Sequence, residues 1–529
     1  MGERRSGELG TLAGRRPAER DEGASGAGRQ AHGTRPRGSS RLAAGAVFLV
    51  VAVVTLHLAI RERPTAHADS AEYLLTAESL FNHGTPNVHP ADLLSFGRTA
   101  VRHPLEGDFG RPLSHYLSAP DRRLYGVHFW AYPTLVLPAK LLLRLAGENE
   151  FKAFQLTNVL FALAALGHVL FFSGLTRGAR RLLATLLVAS PFLPFLLWPH
   201  PEVVTGALVT SSLVFRHDGR RVATVLAMAL ASLQAAPLAL AAALFWAEGA
   251  WAARRLGREP RVRSVGRFTL ALTPALLPTL FALVAFGHPS PLVLAGAYDP
   301  RRLSVFRALE LLVDPNLGLL PYVPLTLALA LVLALVRLAR RGTESDERPG
   351  PAWLLAAVAL VALASTGAAN WNHGTVGPSR YGLWLLPFLF VLLAEALEGS
   401  SGRRVVLPLA VLAALTQATI AFTRGGVHAP EDYTRHSLVA RGVLDSWPDR
   451  YDPTTEIFIE RTEGREINPD QPLTEPVVYR SAAGCRKAWV QKRHLPAVTV
   501  SCGGPPTQGP DFRELKSHHG PDAWAHVSW

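Results

Sequence analysis

Two carboxylates, Asp69 and Glu72, lie three residues apart in an acidic segment that runs to Leu80 and follows the first long apolar run of the chain. If this segment begins a helix, residues three apart lie on one face. A carboxylate can take a proton from a hydroxyl group or give one to a leaving group. The pair therefore suggests a catalytic acid or base that is presented at a membrane surface.

The same segment has a plain structural interpretation. Asp69 is a good helix N-cap, and acidic residues are favourable in a first helical turn. On this interpretation the segment is an amphipathic surface helix without chemistry. The surrounding elements have to decide between the two.

The composition predicts a polytopic membrane protein. The chain has 529 residues, of which 49% are hydrophobic, and the apolar residues are concentrated in runs of roughly 17 to 25, the length that spans a bilayer. The formal net charge is +13, but the arginines form short clusters between the apolar runs, where they set topology. We therefore expect a lipid bilayer and no nucleic acid as partner.

The chain has two cysteines, Cys485 and Cys502, and both lie in its polar C-terminal part. This number and placement support neither a metal cluster nor a thiol active site. A disulfide between them is possible if this part is outside the cytosol.

The N-terminal region, residues 1–41, has almost no large apolar residue and is predicted to be a disordered cytosolic tail. The apolar run Leu42–Ile60 is too long and begins too late for a signal peptide, so we interpret it as a membrane anchor. Asp69 then lies outside, in a long first outer loop, residues 61–152.

The positions of the arginine clusters determine how two ambiguous segments are assigned relative to the membrane. Residues 128–145 contain two prolines, Lys140 and Arg144, and we assign them to the membrane interface, because a full span would move later arginine clusters outside. Residues 222–252 are too long for one helix and are predicted to break near Gln234 to Pro237. The remaining predicted spans cover residues 153–173, 182–198, 202–215, 268–286, 318–338, 352–368, 381–397 and 405–422.

The predicted fold class is an all-α polytopic membrane protein with about 11 transmembrane helices, the N-terminus in the cytosol and the C-terminus outside. The transmembrane domain covers residues 42–422. Residues 423–529 are predicted to form a small extracytoplasmic domain of α+β or β-containing type, because the stretches 456–460 and 496–500 alternate between polar and apolar residues.

This topology gathers the unusual polar segments on the outer side. Besides the Asp69 segment they are the Trp198–Glu202 turn, the loop at Asp314-Pro315 and the segment from Asn370 to Tyr381. The cytosolic loops carry arginines and little else that could do chemistry.

With the long first outer loop, these segments resemble the GT-C superfamily of membrane glycosyltransferases, in particular the bacterial branch similar to protein O-mannosyltransferases and lipid A aminoarabinose transferases. The resemblance covers about residues 42–400. Asp69 and Tyr73 match the first and last positions of the family's Asp-Glu-x-x-Tyr pattern, but Ser70 replaces the usual Glu, so a second acidic function is absent or falls to Glu72. His200-Pro201-Glu202 resembles a later acidic site.

The resemblance implies transfer of a sugar from a polyprenyl-phosphate donor to a glycan, lipid or protein acceptor outside the cytosol, with inversion, in a bacterial inner membrane. Asp69 would be the general base, with Glu72 and Glu202 as further catalytic candidates. No cofactor and no metal ligand is firmly implied, and a divalent metal requirement stays open. The candidate substrate-binding residues are Tyr73, Arg102, His200, Trp371, His373 and Arg380, of which Arg380 would stabilise the departing phosphate.

Structural alternatives exist for several of these residues. Glu202 could simply begin a helix after Pro201, and Trp371 could be an interfacial anchor. His373 could be a solvated loop residue, and Arg380 could mark the membrane boundary. Asp314 followed by proline is typical of a helix start.

Two other classes of function remain. A transporter or flippase of a lipid-linked glycan would place charges along a membrane pathway, although the spans show no repeated halves and few charges. A nonenzymatic assembly protein would instead use the C-terminal domain to bind a partner.

Overall fold

The computed structural model describes residues 38–64, 69–103, 105, 113, 115–340, 350–371, 377–399, 403–428, 434–465, 475–507, 513–514 and 523–529. Residues 47–529 form one compact unit. Most of the predicted disordered tail, with His373 and its neighbours, lies outside the described residues.

The region that is predicted to be the first outer loop, residues 61–152, contains helices and a small sheet. It follows helix α1 (Gly38–Arg61) and contains helices α2 (Ser70–His83), α3 (Pro90–Arg102) and α4 (Ala131–Leu145). Strands β1 (Asn87–Val88), β2 (Tyr116–Ser118) and β3 (Leu124–Gly126) pair antiparallel in the order β1-β3-β2.

The described helices between residues 153 and 423 are mostly apolar, and most of them contribute residues to one large core. They are α5 (Ala153–Gly167), α6 (Arg177–Val188), α7 (Glu202–His217), α8 (Arg221–Ala231), α9 (Leu238–Ala253), α10 (Arg258–Leu272), α11 (Leu277–Phe286), α12 (Pro291–Leu294), α13 (Val305–Val313), α14 (Pro324–Arg340), α15 (Pro351–Ser365), α16 (Arg380–Leu383), α17 (Leu386–Gly399) and α18 (Arg403–Thr423).

Among the described residues, five helical segments are long and apolar enough to cross a membrane. Four shorter apolar helices lie at Arg221–Ala231, Leu238–Ala253, Pro324–Ala339 and Pro351–Ser365. The polytopic helical class is thus present, whereas the number of crossings and their direction stay predictions. The five long segments are Leu42–Arg61, Glu150–Phe172, Arg258–Phe286, Arg380–Glu398 and Arg404–Thr423.

Prolines decide where several helices end. The predicted break in residues 222–252 is confirmed, because α8 ends at Ala231 and α9 begins after Pro237. The predicted helix over residues 182–198 is too long, since α6 ends at Val188 ahead of Pro191 and Pro194. Proline lacks the backbone N–H that a helix interior requires.

Asp314 has a structural role, but it does not begin a helix. Its carboxylate accepts hydrogen bonds from the backbone N–H groups of Asn316, at 2.7 Å, and Leu317, at 2.8 Å. These bonds close a turn directly after α13, whereas α14 begins only at Pro324.

The C-terminal part contains strands, as predicted, but they lie at other positions than the sequence indicated. Its sheet has the order β4-β5-β7-β6 with antiparallel pairing, and three helices accompany it. The elements are α19 (Leu438–Ser446), α20 (Thr455–Glu463), β4 (Val477–Ser481), β5 (Gly484–Gln491), α21 (Leu495–Ser501), β6 (Arg513–Glu514) and β7 (Ala523–Ser528).

Both stretches that were predicted as strands, 456–460 and 496–500, are therefore helical. Five residues of alternation are too few to separate the two periods, and local signals favour helices: Glu456 lies in the first turn of α20, and Pro496 lies at the start of α21. Cys485 on β5 and Cys502 after α21 form a disulfide, so the pairing that the sequence left open is present.

The predicted topology can be tested with single added cysteines. Ser118 in the predicted first outer loop and Gly257 between α9 and α10 are both exposed, and the two native cysteines are already bonded to each other. We expect Ser118→Cys to react with a membrane-impermeant maleimide in intact cells and Gly257→Cys to react only after permeabilisation. The reverse pattern would show that the assigned orientation is wrong.

Candidate active site

Helix α2 is buried rather than at the surface. Ten of its 14 residues are buried, among them Glu72, Tyr73 and Glu78. Asp69 occupies the N-cap position with helical backbone angles, and its carboxylate makes no capping hydrogen bond to the described backbone of α2. The interpretation of this segment as an amphipathic surface helix with an Asp69 cap is therefore wrong.

An ionic cluster beneath α2 fixes the helix in place. Lys140 Nζ on α4 lies 2.7 Å from Glu78 Oε2 and 3.0 Å from Glu150 Oε2. Arg144, one turn further along α4, lies 2.8 Å from Glu150 Oε2, and Ser95 of α3 donates to Glu78 at 2.5 Å. The two charges that made residues 128–145 ambiguous thus hold α2, α3 and α4 together.

A cavity of about 540 Å³ opens at the N-terminal ends of α2, α7 and α16. Its lining includes a connected group of ionisable residues, which are Asp69, His128, His200, Glu202 and Arg380. Apolar residues also line it, namely Pro237, Leu240, Leu292, Ala297, Ala364, Ala368 and Trp384, with the polar residues Gln234, Ser290, Ser365 and Asn370 among them. The cavity can therefore receive a molecule that has a charged part and an apolar part.

Asp69 is the centre of the ionisable group. Arg380 Nη1 donates a hydrogen bond to Asp69 Oδ2 at 2.5 Å. The Nε2 atoms of His200 and His128 lie 3.6 Å and 3.7 Å from the same oxygen, and His115 Nδ1 lies 3.9 Å from the other one. One carboxylate is thus surrounded by one permanent cation and three groups that can become cations.

These neighbours determine the charge of Asp69, which is 8% exposed. Burial by itself raises the pKa of the carboxyl, but the positive charge of Arg380 and the nearby imidazoles outweigh it, so the pKa lies well below its ordinary value. Asp69 is therefore ionised throughout the physiological range.

Each of the two nearest histidines is oriented by a buried glutamate. Glu72 accepts from the backbone N–H of His128 at 2.8 Å and contacts His128 Nδ1 at 2.8 Å. Glu202 contacts His200 Nδ1 in the same way. A carboxylate on one ring nitrogen fixes the orientation of the ring, and in both pairs the other nitrogen points to Asp69.

Burial lowers the pKa of His128, but the carboxylates of Glu72 and Asp69 outweigh burial and raise it above the ordinary value. His200 Nε2 also lies 3.2 Å from Arg380 Nη1, a bond that His200 accepts when its proton is on Nδ1. The pKa of His200 is also raised, because the carboxylates of Glu202 and Asp69 outweigh the effect of its burial. Tyr73 packs between the two imidazole rings, with its ring centroid 5.5 Å from each.

The structure brings together most of the residues that the sequence singled out. Asp69, Tyr73, His200, Glu202 and Arg380 line the one cavity, and Glu72 lies behind His128. They come from three elements far apart in the chain; Asp69 and Arg380 are 311 residues apart. Their catalytic and binding roles stay predictions.

Two other predicted site residues do not line the cavity. Trp371 is buried and packs beneath the guanidinium of Arg307, 4.3 Å from the ring centroid, and it is not among the residues that line the cavity. Arg102 is exposed at the C-terminal end of α3. His373 lies outside the described residues.

Sequence analysis missed His128 and His115. His128 begins the segment that the arginine positions assigned to the membrane interface, and His115 belongs to none of the motifs that the sequence shows. Their separation from Asp69 along the chain left no periodicity that could have linked them to it.

No family model and no curated protein matches the chain. Solved structures that match include ArnT from Cupriavidus metallidurans bound to undecaprenyl phosphate, at 12% identity over 92% of this chain and 97% of that chain, with a TM-score of 0.43. The apo structure of the same protein matches at 14% identity over 92% and 98%, with a TM-score of 0.44.

At this identity, a TM-score below 0.5 does not transfer a site or a substrate from one protein to the other. The function proposed below therefore rests on the cavity of this chain.

The buried ionic cluster predicts a large effect of losing its central cation. Lys140→Met leaves Glu78 and Glu150 buried with less compensation, and removing one partner of a buried pair costs about 3–5 kcal/mol. We expect a correspondingly lower midpoint in chemical denaturation of the purified protein. Arg123→Met removes an exposed cation that pairs with Asp121 and should cost at most about 1 kcal/mol. Equal midpoints for the two variants would contradict the assigned role of Lys140.

Proposed function

We propose that this chain is a GT-C-like membrane glycosyltransferase that moves a sugar from a polyprenyl-phosphate donor to a glycan, lipid or protein acceptor, with inversion. The observation that carries the proposal is the contact between Asp69 and Arg380 in a partly apolar cavity. A carboxylate that can act as a base and a cation that can bind phosphate are thereby within reach of one substrate.

The mixed lining of the cavity suits such a donor. Apolar residues such as Leu240, Leu292 and Trp384 can receive the first isoprenoid units. The ionisable residues can bind the phosphate and the sugar, since the histidine rings and Tyr73 offer hydrogen bonds and flat surfaces. Arg380 and Trp384 begin the long apolar segment Arg380–Glu398, along which the lipid can enter from the bilayer.

Arg380 is the phosphate-binding candidate. Its guanidinium points into the cavity, and a phosphate group accepts charge-assisted hydrogen bonds from arginine in the same way as a carboxylate does. A bound donor therefore competes with Asp69 for Arg380. Asp69 and Arg380 neutralise each other in their direct contact.

This competition makes Asp69 a better base when the donor is present. While Arg380 is its partner, the low pKa of Asp69 makes it a weak base. When phosphate takes over Arg380, the effect of burial on Asp69 is less opposed and its pKa rises. Donor binding and the activation of the acceptor are in this way coupled through one arginine.

The transfer step follows from these positions. The acceptor hydroxyl gives its proton to Asp69 while its oxygen forms a bond to the anomeric carbon of the sugar. The bond between that carbon and the phosphate oxygen breaks, and polyprenyl phosphate leaves with an added negative charge. Arg380 stabilises this charge. The pairs Glu72–His128 and Glu202–His200 orient the sugar. The atoms and charges of this step balance as written.

The cellular setting of the proposal is a bacterial inner membrane. Residues 42–422 form the transmembrane domain, and the cavity opens to the extracytoplasmic side. Residues 423–529 form an extracytoplasmic domain, for which the disulfide Cys485–Cys502 is suitable.

The first test is the loss of the base. In membranes from cells that supply polyprenyl-phosphate sugars, we expect Asp69→Asn to lower sugar transfer by about 10²- to 10⁴-fold, the usual contribution of a general base. Asp121→Asn, which changes an exposed aspartate of the same outer region, should transfer at the wild-type rate. Both variants must insert equally, as judged by immunoblot of washed membranes. Normal transfer by Asp69→Asn would refute the assignment.

The second test is the pH dependence of kcat/KM. As the pH is lowered, kcat/KM should fall where Asp69 becomes protonated; we call this fall the acid limb. In the wild type its midpoint should lie below the ordinary aspartate pKa of about 3.9, because the pKa of Asp69 is lowered in the folded protein. In Arg380→Gln the lowering is lost while burial remains, so the limb should move to higher pH. Arg380→Lys keeps the positive charge and should keep the limb low, whatever its effect on the rate. An unchanged limb in Arg380→Gln would show that Asp69 is not the titrating base.

A further inference from the structure

A second group of ionisable side chains lies at the junction of α2 and α3. His83 is the last residue of α2, His89 directly precedes α3, and Asp92 lies in the first turn of α3. Their potential ligand atoms all lie within 4.8 Å of one another. His83 Nε2 is 2.9 Å from Asp92 Oδ2, and the two imidazole rings stack with centroids 4.1 Å apart.

The surroundings of the group orient its ligand atoms. Asn82 Nδ2 donates to Asp92 Oδ1 at 2.8 Å, which leaves Oδ2 directed at His83. Thr85 Oγ1 lies 2.6 Å from His83 Nδ1, on the side of the ring away from Asp92. Such outer hydrogen bonds are typical of histidines and carboxylates that bind a metal ion, because they fix the tautomer and the direction of the ligand atom.

The ligand types define the ion. Two imidazole nitrogens and one carboxylate oxygen suit zinc and neighbouring divalent transition metals, whereas calcium and magnesium prefer oxygen ligands alone. Asp92 is buried, His83 is partly buried and His89 is exposed. An ion can therefore enter from solvent on the side of His89, and water can complete its coordination.

The Asp92 carboxylate is essential to the site. A cation at the start of α3 would be unfavourable beside the positive end of the helix dipole. Asp92 provides the compensating negative charge, and its oxygen also accepts from the backbone N–H of His89 at 2.8 Å. Binding replaces the hydrogen bonds that the ligand nitrogens make, which join His83 Nε2 to Asp92 Oδ2 and to Ser79 Oγ at 3.2 Å, and His89 Nε2 to the side chain of Asn87. The exposed ring of His89 must also turn out of its stack on His83, because an imidazole binds a metal ion in the plane of the ring.

We propose that His83, His89 and Asp92 form a binding site for a divalent transition metal ion of the zinc class. The site is structural, because Asp69 and His83 are separated by the length of α2, about 21 Å at 1.5 Å per residue. The ion joins the C-terminal end of α2 to the N-terminal end of α3. It acts independently of the proposed glycosyl transfer.

The test measures zinc content rather than activity. Full-length protein purified in detergent is stripped with a chelator, equilibrated with a slight excess of Zn²⁺, desalted and analysed by mass spectrometry for metal per chain. The variants are His83→Gln and His89→Asn. Asparagine is among the best N-cap residues, so His89→Asn removes the imidazole while it keeps the start of α3.

We expect each variant to bind one zinc ion fewer per chain than the wild type. The control is His103→Ala at the other end of α3, which should retain the wild-type zinc content. Because all four proteins keep the histidines of the cavity, any zinc bound there is the same in each of them. Zinc should raise the unfolding temperature of wild type and control more than that of the two variants. Equal zinc content in all four proteins would overturn the proposal.

Visible spectra of the Co²⁺-loaded proteins provide a second measurement. Cobalt with nitrogen and oxygen ligands absorbs in the visible range according to its coordination, so the difference spectrum between wild type and His89→Asn should contain bands of a protein-bound ion. A difference spectrum without such bands would overturn the site even if the zinc contents differ.

Discussion

The contact between Asp69 and Arg380 is the interaction on which the site depends. It joins the start of α2 to the start of α16 across 311 residues of chain, and it compensates two charges that burial would otherwise make unfavourable. The same contact defines the resting state that we propose. A phosphate that takes over Arg380 would leave Asp69 as a buried carboxylate with only histidines beside it, which is the environment of a base.

The site needs rigid support, because charges held this closely rearrange when a helix shifts by a fraction of an ångström. At α2 the support is the cluster of Glu78, Lys140 and Glu150. At α7, which begins with Glu202, it is a bidentate pair at the other end of the helix, where Arg216 donates to both oxygens of Glu248 at 2.7 and 2.8 Å. Helices α2 and α7 are thus each held by charges at a distance from the cavity.

The sequence by itself determined the class of the fold and most of the candidate residues. Apolar runs of bilayer length are a direct consequence of the solvent in which the helices lie, so they are visible without any tertiary information. The break before Pro237 is equally local, since it depends on one residue that lacks an N–H group. Asp69 and Arg380 stood out because their segments resemble motifs of membrane glycosyltransferases, and because a carboxylate can act as a base and an arginine can bind phosphate.

Only the tertiary structure decided which of these residues meet. It placed Asp69 against Arg380 instead of on the backbone of α2, added His128 to the cavity and withdrew Trp371 into the core. Short alternating stretches such as 456–460 were ambiguous because packing, not propensity, selects between helix and strand at that length. The physical reason is general: composition and periodicity report on the solvent of each segment, whereas the partner of a buried charge depends on how distant segments pack.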